Sequence, residues 1–213
     1  MKWDYNTLCR EIAEYLARDD LEDRIPTFIF LAEQAMRNEL RLKCLERAGW
    51  IETRAGESSI ALPDKRVPGD WDVFLEMRKL ALAMSAGPNV RLEYVSPDTF
   101  VDIAGRSGRP EFFTVLGREL HLAPTPNASW KMIMAYWADI PPLGPDQPMN
   151  DLLLQHPRLY LFGALVESAA YTRDGAPADR WLAHYQNEKI EAEYRQERAR
   201  FGKQLTARSP RAL

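Results

Sequence analysis

The sequence predicts an α+β fold, mainly helical, with an N-terminal helix pair, central antiparallel β hairpins and C-terminal helices. Three observations carry that reading. Apolar residues recur at helical spacing before residue 49 and again after residue 149. Between these stretches the pattern shifts to short runs separated by Gly, Pro, Asn and Asp. Helical and strand segments are grouped along the chain and do not alternate, which is the order of an α+β protein.

Residues 1–48 read as a helical hairpin. Asp4 is placed to cap a first helix in which Tyr5, Leu8, Ile12, Tyr15 and Leu16 share one face. The run Arg18-Asp19-Asp20 ends it. Asp23 and then Pro26 open a second helix, with Phe28, Leu31, Ala32, Ala35, Met36 and Leu40 as its apolar stripe. Gly49 is its expected stop.

Residues 49–140 read as an antiparallel β region. Residues 50–54 and 58–62 flank Gly56 as a first hairpin, and Pro63 to Trp71 is a loop. Strands at 74–82 and 90–95 flank the turn Ala86-Gly87-Pro88-Asn89. Ser96, followed by Pro97, starts a short helix that stops at Gly105. A further hairpin joins 112–116 to 119–122 through Gly117-Arg118, and a strong strand covers 131–137.

The proline-rich stretch 141–148 is a stiff linker. Beyond it, 149–201 is expected to form C-terminal helices that pack with the N-terminal pair. The stretch HPRLYLFGALVESAAYTRDG, residues 156–175, is the most apolar of the chain. Its helix is apolar almost all round, so it is buried on most sides, either at the core of one subunit or partly under a neighbour. It is too short and too interrupted, by Gly163, Glu167 and Ser168, to cross a membrane. Glu167 is expected to pair with an arginine.

The last helix carries Trp181, Leu182 and Tyr185 on one face and Ile190, Tyr194 and Phe201 on another. Its first half is expected to dock on its own domain. Its second half, dense in charge, presents its aromatics elsewhere. Residues 202–213 read as a flexible basic tail.

Composition narrows the function. The 213 residues are 46% hydrophobic and 28% charged, with a net charge of -3, so the chain is globular and carries no overall basic field for nucleic acid. Two cysteines make no disulfide framework, and a reducing cytosol is the default compartment. The opening MKWDYNTLCREIAEYL carries acids and has no apolar core, so it is not expected to be a signal peptide.

The search for chemistry is mostly negative. No GxxxxGK[ST], GxSxG, HExxH or CxxC occurs. Gly105-Arg106-Ser107-Gly108-Arg109 has the composition of a phosphate loop, but Pro110 and a strand follow it instead of a helix N-terminus. His121, His156 and His184 lie on different elements, and His156 before Pro157 suits a helix start. The acids Asp19, Asp20, Glu22 and Asp23 lack the spacing of a calcium loop. The expectation is therefore no enzyme, no cofactor and no metal site.

Several stretches, in order, resemble the head–tail adaptor (head-to-tail connector) proteins of tailed bacteriophages. They are IPTFIFLAEQAMRNELRL (25–42), ALPDKRVPGDWDVFLEMRKL (61–80), LEYVSPDTF (92–100), GRPEFFTVLGRELHLAPTP (108–126) and HPRLYLFGALVESAAY (156–171) followed by a charged helix. Residues 64–73 look inserted relative to the family's shorter link. The resemblance implies a structural virion protein at the neck, assembled in the host cytoplasm. It implies a closed ring of about twelve copies between the portal protein and a tail or nozzle protein. DNA would pass through the lumen without sequence-specific binding, and no membrane is involved. Tyr194, Phe201, Lys203, Arg208 and Arg211 would then be docking residues for the portal or another partner. A non-enzymatic DNA-binding or regulatory module is the alternative, and an enzyme with an unrecognised site is the third reading.

Overall fold

The computed structural model describes residues 2–172 and 175–205, of which 175–176 and 199–205 by backbone alone. In chain order the elements begin with α1 (Tyr5–Leu16), α2 (Ile25–Glu39), β1 (Glu46–Glu52), β2 (Ser59–Ala61), β3 (Asp64–Val67) and β4 (Asp70–Leu82). Next come β5 (Val90–Arg91), β6 (Glu93–Tyr94), α3 (Pro97–Ile103), β7 (Ser107–Gly108), β8 (Phe112–Leu116) and β9 (Glu119–Ala123). The last are β10 (Thr125–Pro126), β11 (Lys131–Ala138), α4 (Asp151–Gln155), α5 (Pro157–Thr172) and α6 (Gly175–Leu205). The fold class is α+β. Helix accounts for 45% and strand for 27%, so the fold is mixed, with helix the larger share but short of half.

Two compact units divide the described residues: 2–45 with 140–205, and Glu46–Asp139. The first is helical, and α5 is its centre. Leu159, Tyr160, Leu161, Phe162, Ala164 and Leu165 are all buried, and the cover comes from α1, α2, α4 and α6 of the same chain. The all-round apolar pattern therefore marks a core helix, and no neighbouring subunit is needed to cover it. Each large side chain so buried stabilises the unit by roughly 1.5–3 kcal/mol. Gly163 sets the approach of α2. A Cβ placed there would lie 3.2 Å from Ala32 Cβ and 3.3 Å from Met36 Cε.

Local signals at the helix ends differ in outcome. Asp4 Oδ1 accepts the Thr7 amide at 2.7 Å and caps α1, and that bond holds its carboxyl below the usual range. Ala17, with φ of 50°, closes α1. Asp23 does not cap α2: it sits in a 3-10 turn over Asp19–Arg24, and the residue before α2, Arg24, makes no side-chain cap. Pro26 does lie in the first turn of α2. Gly49 is no helix stop, since α2 ends at Glu39 and Gly49 lies within β1. Leu31, expected on the buried stripe, is exposed.

Residues 141–148 are not a free linker. The Leu143 backbone amide bonds Glu33 Oε1 at 2.9 Å, Asn150 Nδ2 donates to Pro141 O at 2.7 Å, and the Tyr5 backbone amide reaches Pro148 O at 2.7 Å. The stretch is a strap bonded onto α1 and α2.

The second unit holds two main sheets around one core. One is five-stranded, in the order β1-β11-β4-β3 with β5 also on β4. The other is four-stranded, β2-β9-β8-β6, with β6 parallel to β8. Leu80, Leu82, Leu92, Phe113, Leu120, Leu122, Met132 and Met134 fill the space between them. Along β11 the even-numbered residues face this core and the odd-numbered ones face outward.

Three expected pairings meet the structure differently. The 112–116/119–122 hairpin forms as β8–β9. The hairpin about Gly56 does not: β1 pairs with β11 and β2 with β9, in different sheets. Gly56 turns the chain (φ 84°) between the sheets, which a short loop with alternating flanks cannot distinguish from a hairpin turn. The expected loop 63–71 is largely ordered as well. β3 pairs with β4 from Asp64↔Val73 to Val67↔Asp70, so the segment 64–73 that looked inserted forms a β hairpin. Its side chains on β3 are all exposed, so no apolar run announced it.

Candidate protein-contact surfaces

α6 packs by a straight stripe. Trp181, Tyr185 and Ala192 are buried, and Lys189 and Gln196 continue the line half-buried. Polar ties hold its second half to the end of α2 and the loop beyond. Lys189 Nζ lies 3.0 Å from Glu39 Oε2, and Gln196 bonds both Arg41 O, at 3.3 Å, and the Lys43 amide. The stripe therefore does not change sides. It continues with small and amphipathic residues where apolar ones were sought. Leu182, expected on the docked face, is exposed.

The opposite side of α6 is open. Ile190 is 63% exposed and Tyr194 59% exposed. They stand one turn apart, so their side chains share one ridge. Charge surrounds them: Arg195 pairs with Glu191 at 2.7 Å, and the Arg198 guanidinium lies 5.9 Å from the Tyr194 ring. Phe201 and Lys203 fall on the α6 backbone, but their side chains lie outside the described residues, as do Arg208 and Arg211 altogether.

A second apolar exposure is on α2. Phe30 is 53% exposed, and Leu31 lies beside it. The signal for it was in the sequence. Phe28-Ile29-Phe30-Leu31 is a run of four large apolar residues, and a one-faced helix can bury only part of such a run.

Near α6, Phe162 joins α5 to its neighbours through rings. It stacks on His184 at 4.8 Å and meets Trp181 at 6.1 Å, while Tyr15 lies 5.7 Å from Trp181. Tyr185 is buried there, and its hydroxyl has no hydrogen-bond partner among the described residues.

The remaining polar candidates do not converge. Glu167 makes no ion pair with an arginine among the described residues. It is half-buried, and desolvation alone raises its carboxyl above the ordinary value. His156 caps α4, with its pKa lowered mainly by burial; His184 is in the ring cluster; His121 lies 3.5 Å from Glu119 on β9. Gly105–Arg109 is tied into a β ladder, β7 pairing with β10, and carries no helix N-terminus. No cluster able to hold a metal ion occurs among the described residues. Nor is any described helix long and apolar enough to cross a membrane.

Reasoning from the sequence missed two buried carboxylates, Asp139 and the more deeply buried Glu33, which is 4% exposed. Glu33 takes the Leu143 amide at 2.9 Å and the Tyr160 hydroxyl at 3.2 Å. Its position on the α2 stripe, one residue after Ala32, was the available signal.

Together these features define an α+β protein of two units, whose conspicuous exposed groups are apolar and aromatic side chains, on helices (Phe30, Ile190, Tyr194) and on strands (Trp50, Tyr94). The model of the SU10 adaptor protein family matches residues 3–210, nearly the whole chain, and the chain belongs to that family of phage adaptor proteins. No curated protein matches it.

Proposed function

We propose that this chain is a structural virion protein that joins the portal to the tail or its nozzle. It works as a closed ring of about twelve copies around the DNA channel. The phage adaptor family supports the reading. The observation that carries it is the exposed pair Ile190 and Tyr194 on a helix that is otherwise firmly docked. A rigid helix presenting an aromatic and an aliphatic anchor amid charges suits protein contact, because little side-chain or backbone entropy is lost on binding. In a closed ring each copy offers different surfaces to its two neighbours and to the components above and below. Ile190, Tyr194, Phe201, Lys203, Arg208 and Arg211 are assigned to the portal side. DNA crosses the centre without sequence-specific contact, consistent with a net charge of -3.

The test is to mix the purified chain with portal dodecamers and image the product. A ring of this chain seated on the portal is the expected result. Ile190→Asp with Tyr194→Asp should abolish seating. A truncation of 202–213 that seats normally removes the tail from the interface, and a chain that never seats on portal ends the proposal.

A further inference from the structure

α6 loses its apolar support part-way along. Trp181, Tyr185 and Ala192 are buried, and no described side chain beyond Ala192 is. Glu193, Tyr194, Arg195, Glu197 and Arg198 are exposed, and Gln196 is half-buried. The helical backbone nevertheless runs on to Leu205. A helix of about 12–15 residues is marginal in water without tertiary support. The ion pair of Arg195 with Glu191 is exposed and stays within α6, so it adds little and anchors nothing.

Gln196 supplies the anchor. Its Nε2 donates to Arg41 O at 3.3 Å, and its Oε1 accepts the Lys43 backbone amide. Both partners lie past the end of α2. Lys43 opens a 3-10 turn, Lys43–Leu45, so that turn offers its amide no acceptor. One side-chain amide thus meets a carbonyl and an N–H two residues apart. The match needs a donor and an acceptor side by side: a carboxylate would lose the donor, and an ammonium the acceptor. The next tie back along the helix, Lys189 to Glu39 at 3.0 Å, is two turns earlier. Among the described side chains beyond Ala192, Gln196 alone hydrogen-bonds outside α6.

We infer that α6 from Glu193 onward is an arm that opens and closes as a unit against residues 41–43, with Gln196 as its latch. The structure shows it closed. Such local opening is drawn from segments with few buried apolar contacts, and this arm has none among its described side chains. Closing also completes the ridge, because Tyr194 stands one turn from Ile190 only while the arm is helical. A partner that grips both residues therefore binds the closed arm and shifts the balance toward it. That last consequence rests on the proposed role of the ridge; the latch itself rests on the contacts of the free chain.

Native-state amide hydrogen exchange on the full chain, without any partner, tests the latch. The amides of residues 194–198 and of Lys43 should share one protection factor, lower than that of residues 182–189. Gln196→Ala should reduce the shared factor by about tenfold and leave 182–189 unchanged. Alanine is the better helix former, so such a loss cannot come from helix propensity. Gln196→Glu, which keeps the acceptor, should protect the Lys43 amide better than Gln196→Lys, which keeps the donor. The inference is overturned if Lys43 exchanges independently of 194–198, if Gln196→Ala changes neither, or if it loosens 182–189 equally. These outcomes are read on the free chain, so they stand apart from a failure to seat on the portal.

Discussion

Tyr160 donates its buried hydroxyl to Glu33 Oε1 across 3.2 Å, joining the core helix α5 to α2. The same hydroxyl accepts from Asn150 Nδ2 at 2.7 Å, and Asn150 also caps α4 through the Leu153 amide at 2.8 Å. One phenol on α5 thus satisfies two groups, one on α2 and one at the cap of α4. Burial, with the Glu33 charge beside it, holds the Tyr160 proton well above its ordinary range.

Tyr160→Phe should cost about 1–3 kcal/mol, because it strips partners from a buried carboxylate and a buried amide. Tyr185→Phe should cost nothing or stabilise, since its buried hydroxyl bonds nothing among the described residues. Urea denaturation of the two variants checks this, and equal losses would remove the network from the account.

The helical unit should be sensitive at Gly163. A Cβ there meets Ala32 Cβ at 3.2 Å, and that methyl has no rotamer to escape into. Gly163→Val should destabilise by about 1–3 kcal/mol through crowding. Combining Gly163→Ala with Ala32→Gly should recover stability relative to the sum of the single changes, with a coupling of at least about 0.5 kcal/mol.

Alkaline pH should unfold the protein in a specific way. Burial is the leading cause of raised pKa values at Tyr136, Tyr160 and Tyr185 in the native state. Unfolded, these phenols release protons near 10.0. The native state then binds more protons, so this stability is full below that pH and falls as pH rises above it. For Tyr160 the slope is up to about 1.4 kcal/mol per pH unit. Ultraviolet titration should show these three phenols, of the eight tyrosines, ionising only with loss of the circular dichroism signal.

Glu167 runs the opposite way from a salt-bridged acid. Its pKa is raised by desolvation. Stability is therefore better with the carboxyl protonated, and is lost as pH rises through its folded value. Glu167→Gln should raise the urea midpoint at pH 7 and leave it unchanged at pH 3. An equal effect at both pH values would show that the charge is not the cause.

The α6 ridge should separate folding from binding. Ile190→Asp and Tyr194→Asp should each change stability by no more than about 0.5 kcal/mol, as exposed sites do. Trp181→Ala, one of the buried stripe, should cost about 3–5 kcal/mol. Thermal melts run beside portal pull-downs distinguish the two classes.

Much of the helical unit was legible because its signals are local. The Asp4 cap follows from a side chain accepting an amide within a few residues, as does the Ser96 cap before Pro97 in the other unit, and Pro26 suits the first turn of α2, where an N–H would have no helical partner. The β8–β9 hairpin was legible for the same reason, with Gly117 at φ 61° between matched runs. The segments around Gly56 were not, because a strand's partner lies far along the chain and the turn alone does not name it.

By itself the sequence determined the α+β class, the adaptor family and the presence of one helix too apolar to face water. Tertiary structure alone decided which chain covers that helix, and the answer is its own, through Gly163 and the close approach of α2. It also decided that α6 is docked by Lys189, Ala192 and Gln196 while Ile190 and Tyr194 remain outside. The reason is physical. Periodicity records which residues share a face, whereas burial depends on what the rest of the chain brings to that face.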